Sequence, residues 1–99
     1  MTTLDLPKTV AEAVEMLHGN MSLNDEVMLA NMNEEDLIDV HFALGYHIRN
    51  EFGLWEGNES LLESCRSIAG DNELHVDDAS MVIIKALWDK VKEKNILND

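Results

Sequence analysis

Apolar residues recur at helical spacing in five stretches of this 99-residue chain. In the first stretch, Val10, Val14 and Leu17 lie three or four residues apart, as they would on one face of an α-helix. No stretch alternates apolar and polar residues between turns, which is the pattern of a strand. The pattern therefore predicts an all-α protein, a single compact bundle of about five helices with no sheet.

Residues that cap helices mark where each predicted helix begins. Side chains of Ser, Thr, Asn and Asp accept hydrogen bonds from the free N–H groups of a first helical turn. The predicted capping residues are Thr9, Ser22, Asn33, Asn58 and either Asp77 or Asp78. These signals predict a lead-in over residues 1–8, a helical domain over 9–94 and a C-terminal tail over 95–99.

The spacing also predicts which side chains face the core. The second helix is expected to bury Leu23, Val27 and Met28; the third Leu37, Ile38, His41, Leu44, Gly45, Ile48 and Phe52; the fourth Leu61, Leu62, Cys65 and Ile68; the fifth Ala79, Val82, Ile83, Ala86, Leu87 and Val91. Met28 lies in the short second helix, and Met21 and Met32 flank that helix. Flexible thioethers fill gaps in a core, or they form an adaptable binding surface.

The net charge of −13, from 20 acids and 7 Lys plus Arg, restricts the classes of partner. Nucleic acids and anionic membranes attract Lys and Arg, so neither is expected to bind this chain. The acids form a solvated surface or a face for a basic protein partner. The start, MTTLDLPKTV, lacks the basic and apolar parts of a signal peptide, so we expect a cytoplasmic protein.

The segment HIRNEFGLWEGN, residues 47–58, places Trp55 between two glycines. Gly53 and Gly57 allow the chain to turn sharply twice. We expect Trp55 to be buried as a plug over the end of the bundle, the alternative being an aromatic anchor for a partner or ligand. Arg49 is expected to lie beside the indole and to pair with Glu56 or Glu59, although it also suits a carboxylate or phosphate ligand.

The sequence contains no pattern typical of a metal or catalytic site. His41 and His47 are six residues apart, on different faces of the predicted helix, and His47 with Glu51 supplies only two ligands. Cys65 lies in an apolar stripe, which is typical of a core residue rather than a nucleophile. We therefore expect no metal, no cofactor and no catalytic residue. Whether the protein is an enzyme is left open, and we favour the hypothesis that it is not.

Three pieces of the sequence carry a resemblance to a known family. They are His-Phe-x-Leu-Gly at 41–45, Ile-Arg-Asn-x-Phe-Gly-Leu-Trp at 48–55 and Asp-Asp-Ala-Ser at 77–80. Over roughly residues 7–91 the chain resembles a small family of bacterial domains of unknown function. The resemblance implies no activity or cofactor, but it groups the candidate residues for a ligand or partner: His41, Arg49, Asn50, Trp55, Asn58, Asp77, Asp78 and Ser80.

These observations lead to two hypotheses of function. The first is an acidic protein-interaction module without catalysis, an accessory or neutralising partner of another bacterial protein, present as a monomer or a small homo-oligomer. The alternative is a small-ligand-binding or enzyme domain that uses the segment from Arg49 to Trp55. A polar pocket near the connection of the third and fourth helices would favour the alternative.

Overall fold

The computed structural model describes residues 6–97, which form five α-helices and two short 3₁₀ turns. The α-helices are α1 (Val10–Gly19), α2 (Leu23–Ala30), α3 (Leu37–Glu51), α4 (Glu59–Ala69) and α5 (Val76–Leu97). The 3₁₀ turns, Glu34–Asp36 and Leu54–Glu56, precede and follow α3. No strand occurs in the part of the chain that is described, so the predicted all-α bundle is confirmed.

The predicted caps are present at the start of α1, α2 and α4. The side chains of Thr9, Ser22 and Asn58 each accept a hydrogen bond from the N–H three residues later, at 3.1, 3.1 and 3.3 Å. The start of α5 differs from the prediction, because this helix already begins at Val76. Asp77 and Asp78 therefore lie inside its first turn instead of capping it. There their carboxylates lie near the positive end of the helix dipole. At its other end, α5 continues to Leu97.

Helix α5 is the centre of the bundle, and the other four α-helices pack against it. Its inward face consists of small and branched apolar side chains that are fully buried, including Ala79, Ile83, Ile84 and Val91. Trp88 is also buried, and its indole N–H donates to the carbonyl oxygen of Met32 at 3.0 Å. Four members of the stripe predicted for this helix are thus buried, two are half-buried, and Ile84 and Trp88 are buried although the spacing did not predict them. The four are Ala79, Ile83, Leu87 and Val91, and the two are Val82 and Ala86.

Helix α2 presents a different face to the core from the one predicted. Leu23, Val27 and Met28 are exposed, whereas Glu26, Leu29 and Ala30 are buried. The helix is only eight residues long and has apolar residues on two sides, so spacing alone does not fix its orientation. The predicted burial of Ile38 and Ile68 is also wrong, since they are 56% and 60% exposed.

A buried carboxylate connects three of the helices. Glu26 of α2 is 6% exposed, and its Oε1 lies 2.9 Å from Lys94 Nζ of α5 and 3.2 Å from His18 Nε2 of α1. A carboxylate is costly to bury without partners, and these two groups compensate for the lost water. The hydrogen bond from Lys94, followed by that from His18, holds the pKa of Glu26 below its usual value.

We expect the stability that Glu26 contributes to be lost in acid. Because the pKa of Glu26 is lower in the folded protein than in the unfolded chain, its contribution is complete above the ordinary carboxyl pKa. It decreases as the pH falls through the folded value. At neutral pH the free energy of unfolding of the parent should exceed that of Glu26→Gln, and this difference should shrink as the solution is acidified. Urea unfolding of both proteins at a series of pH values measures it. Glu63→Gln, at an exposed site on α4, is the control. A difference between the parent and Glu26→Gln that does not change with pH would contradict the assigned role of the Glu26 carboxylate.

Candidate functional site

Helix α3 carries a row of large apolar side chains on its solvent-facing side. Ile38, Phe42 and Tyr46 are four residues apart, so they lie one above another along one side of the helix. They are 56%, 80% and 61% exposed. Trp55, on the 3₁₀ turn after α3, extends this row at its C-terminal end. We refer to these four residues as the α3 stripe.

Trp55 does not plug the bundle, and the prediction that it is buried is wrong. Its side chain is 49% exposed, whereas its neighbour Leu54 is 3% exposed and belongs to the core. Gly53 and Gly57 have positive φ angles of 69° and 90°, so the predicted pair of sharp turns is confirmed. The turn between them directs Leu54 inward and leaves Trp55 on the surface.

The indole of Trp55 is held in place by two neighbours from α3. Its ring centroid is 5.3 Å from that of Tyr46, with the planes inclined at 67°, an edge-to-face arrangement. The guanidinium carbon of Arg49 lies 5.3 Å from the same ring, within the range of a cation–π interaction. The expected position of Arg49 beside the indole is therefore confirmed. Trp55 is exposed, but it is packed on one side.

Arg49 belongs to a polar cluster that joins α3 to the first turns of α5, here called the Arg49 cluster: His41, Arg49, Asp77 and Ser80. Arg49 Nη1 donates to Ser80 Oγ at 2.9 Å, and Arg49 Nε lies 3.5 Å from the Asp77 carboxylate. This separation is that of an ion pair rather than a short hydrogen bond. The predicted pairing of Arg49 with Glu56 or Glu59 is wrong, because the guanidinium is directed toward α5.

His41 and Ser80 complete the cluster. His41 Nε2 lies 2.9 Å from Ser80 Oγ and 3.1 Å from the carbonyl oxygen of Asp77. Which of these contacts Nε2 donates to or accepts from depends on the tautomer of the imidazole. Ser80 Oγ in turn donates to the same carbonyl at 2.8 Å. These contacts satisfy a serine that is fully buried, and they fix the position of α3 against α5.

Gly45 gives the cluster the space that it needs on α3. A Cβ atom at this position would lie 2.8 Å from His41 Cδ2 and 2.9 Å from Arg49 Nη1. With no side chain between them, the histidine one turn before and the arginine one turn after reach toward each other, and Arg49 Nη1 lies 3.4 Å from His41 Nε2. The glycine of the His-Phe-x-Leu-Gly piece thus has a packing function.

The remaining candidates lie outside this cluster. Asn58 is structural, because its amide donates to the carbonyls of Pro7 and Phe52 while its oxygen caps α4. Asn50 and Asp78 are exposed. The structure therefore brings together five of the eight candidates: His41, Arg49, Trp55, Asp77 and Ser80.

The pairing of a serine with a histidine is also found in nucleophilic catalysis, but the geometry here does not fit that use. Ser80 is completely buried, so its hydroxyl is not accessible to a substrate, and its Oγ is already engaged by Arg49 Nη1 and the carbonyl oxygen of Asp77. Cys65 is buried as well, its thiol lies 3.5 Å from the carbonyl of Ala79, and burial raises its pKa to about 11. A thiol with so high a pKa is a poor nucleophile at neutral pH.

Metal-binding groups and membrane-spanning helices are two further features that can indicate a function. No group of three or more His, Cys, Asp and Glu side chains is arranged to hold a metal ion there. No helix among them combines the length and the apolar character that crossing a bilayer requires.

Comparison with known proteins shows the family. Residues 6–91 match the family described as "Domain of unknown function (DUF6794)". Since the match covers most of the chain, this protein is a member of that family. No curated protein and no solved structure gives a significant match. The description of the family assigns it no activity.

Proposed function

We propose that this domain is a protein-interaction module without catalysis, and that its α3 stripe binds a basic, amphipathic segment of another protein. The observation that carries the proposal is the exposure of Phe42, Tyr46 and Trp55 side by side on one face. Rows of large apolar side chains are seldom left in water unless they bind a partner. Tryptophan and tyrosine are also enriched among the residues that dominate binding energy.

The contacts that hold the Trp55 side chain in place favour a role in binding a partner. Tyr46 and Arg49 fix the indole before any partner arrives, so little side-chain freedom is lost on binding. The Arg49 cluster in turn anchors this part of α3 to α5. The stripe is therefore a preorganised surface on a rigid helix. A helical segment with apolar residues at successive turns would match such a row.

The charge around the stripe indicates which partner fits it. Residues 34–59 contain seven acids and a single Lys or Arg, which is Arg49. The side chain of Arg49 is 14% exposed and pairs with Asp77, and Lys85 of α5 pairs with Glu34, so acids outnumber cations in this part of the surface. A partner with Lys and Arg beside its apolar residues would be attracted to this face, and an acidic one repelled. A second copy of this chain brings the same acids, so we favour a different protein.

We further propose that the module acts in the bacterial cytoplasm as an accessory or neutralising partner of the protein it binds. Its single cysteine, Cys65, is a free thiol within the core. A free cysteine of this kind is compatible with a reducing compartment. The acidic surface would neutralise a basic segment of the partner until that segment is needed elsewhere.

Photo-crosslinking in the native host tests the proposed surface. A benzophenone amino acid is placed at Phe42 in the stripe, and at Ile68 of α4 as the matched control. Both positions are exposed and apolar, at 80% and 60%, but they lie on different helices. We expect position 42 to crosslink to a Lys- and Arg-rich segment of another protein, identified by mass spectrometry, and position 68 not to do so. The same products at both positions, or products formed only with a second copy of the chain, would overturn the proposal.

A further inference from the structure

A cavity remains between α1, α2, α3 and α5, on another part of the molecule from the α3 stripe. Its volume is about 360 Å³, which is within the range of small-molecule sites in proteins. Its walls include the thioethers of Met21, Met28 and Met32 and the apolar side chains of Leu17 and Leu44. Met21 and Met32 also pack against the core, and Met28 is 57% exposed, so the three methionines connect this cavity to both the core and the surface.

A smaller space adjoins this cavity and adds polar groups. It measures about 100 Å³, and it shares Leu17, Asn20 and His47 with the walls of the larger cavity. Glu51 lines the smaller space and Asp25 lines the larger one. The two spaces together form a mainly apolar depression that is open to solvent, with Asp25 on the wall of the larger part and Glu51 on that of the smaller part.

The charges of the residues that line the two spaces favour a positively charged ligand. No Lys or Arg is among the residues that line either space. The net charge of −13 further raises the local concentration of small cations and lowers that of anions. A ligand with an apolar body and a positively charged head would satisfy both the methionine wall and the carboxylates.

We propose that this cavity, here called the methionine cavity, binds an amphipathic organic amine. The apolar part of the amine, an alkyl chain or an aromatic ring, would occupy the space between the thioethers. Methionine is suited to this because its unbranched, polarisable side chain adapts to ligands of different shape. The ammonium group would lie toward Asp25 and Glu51, and His47 of the shared wall would be a further polar neighbour. This site does not depend on the proposed function of the α3 stripe.

Nuclear magnetic resonance of methionine methyl groups tests the proposal on the intact protein. The probe is 4-phenylbutylamine, and its controls are 4-phenylbutyrate and 4-phenylbutanol, which have the same apolar body with an anionic or a neutral head. We expect the amine to shift the methyl signals of Met21, Met28 and Met32 saturably, and to leave that of Met81 unchanged. The carboxylate should cause no shift, and the alcohol should bind at least several-fold more weakly.

Two charge-neutralising variants test the position of the ammonium group. Asp25 and Glu51 are both exposed, so Asp25→Asn and Glu51→Gln should fold like the parent. Their combination should weaken binding of the amine on the order of tenfold, the equivalent of a pair of solvent-accessible ionic contacts. Glu63→Gln, on α4 away from the cavity, should not change it. Shifts that do not saturate, equal affinity for the amine and the alcohol, or an unchanged affinity in the double variant would overturn the proposal.

Discussion

Leu54→Ala should lower the free energy of unfolding by about 2–5 kcal/mol, the usual cost of truncating a buried leucine. Leu54 is 3% exposed and belongs to the core cluster, so the variant leaves a cavity at the end of the bundle. Trp55→Ala, at the next position, should cost only about 1–2 kcal/mol. It removes an edge-to-face pair with Tyr46 and a cation–π contact with Arg49, each worth about 0.5–1.5 kcal/mol.

Urea unfolding of the two variants beside the parent measures both values. Leu23→Ala is the matched control, because Leu23 is 74% exposed and its loss should change the stability by less than about 0.5 kcal/mol. The order of the effects is the informative result, since tryptophan is the larger side chain. A greater loss for Trp55→Ala than for Leu54→Ala would show that the tryptophan, and not the leucine, closes the bundle.

Ser80→Ala should lower the free energy of unfolding by about 1–3 kcal/mol, the cost of leaving buried polar groups without a partner. Ser80 Oγ is the acceptor for Arg49 Nη1 and lies 2.9 Å from His41 Nε2. The side chain of Arg49 is only 14% exposed, so water replaces the lost acceptor poorly. Loss of this contact should also loosen the support of Trp55, because Arg49 touches both residues.

The control for this variant is Ser67→Ala, at an exposed position of α4. It changes the same atoms in a helix without breaking a buried contact, so it should alter stability by no more than about 0.5 kcal/mol. Thermal or urea unfolding gives both numbers. Equal stabilities for the two variants would mean that the Arg49 cluster does not fix α3 on α5.

The helices were predictable because their signals are local. Thr9, Ser22 and Asn58 bond to N–H groups three residues away, and Gly53 and Gly57 adopt positive φ angles that other residues avoid. Each of these interactions depends on a few neighbouring residues. The start of α5 shows the limit of such reasoning. Asp77 and Asp78 suit both a cap and a first turn, and only the structure distinguishes them.

The exposed stripe could not be separated from the core by spacing alone. Helix α3 is apolar on two sides, and both Leu37 and Ile38 fit a helical period. Leu37 is fully buried and Ile38 is 56% exposed, a difference set by which face packs against α5. Phe42 and Tyr46 were missed for the same reason. The available signal was the step of four residues from Ile38 to Phe42 and again from Phe42 to Tyr46, which describes a second apolar row beside the buried one.

The position of Trp55 is a tertiary effect. Two glycines fix the turn, but they do not decide whether Leu54 or Trp55 enters the core. Tyr46 provides an edge-to-face partner, and Arg49, held by Ser80, provides a cation beside the ring. A sequence shows that Arg49 and Ser80 are present, but their contact across 31 residues requires the packing of α3 on α5. Several of the residues singled out in the sequence therefore come into contact, but the arrangement of these contacts was not predictable from the sequence, and their role in function stays a prediction.

The fluorescence of Trp55 is the most direct measurement of whether it belongs to a recognition surface. In Trp88→Phe protein, Trp55 is the one remaining tryptophan. Without a partner, its emission should be that of a water-exposed indole and should be quenched readily by acrylamide. A synthetic peptide of the basic segment crosslinked at position 42 should shift the emission to shorter wavelength and protect it from acrylamide. Emission that is already blue and protected without the peptide, or that stays unchanged at saturating peptide, would contradict this account.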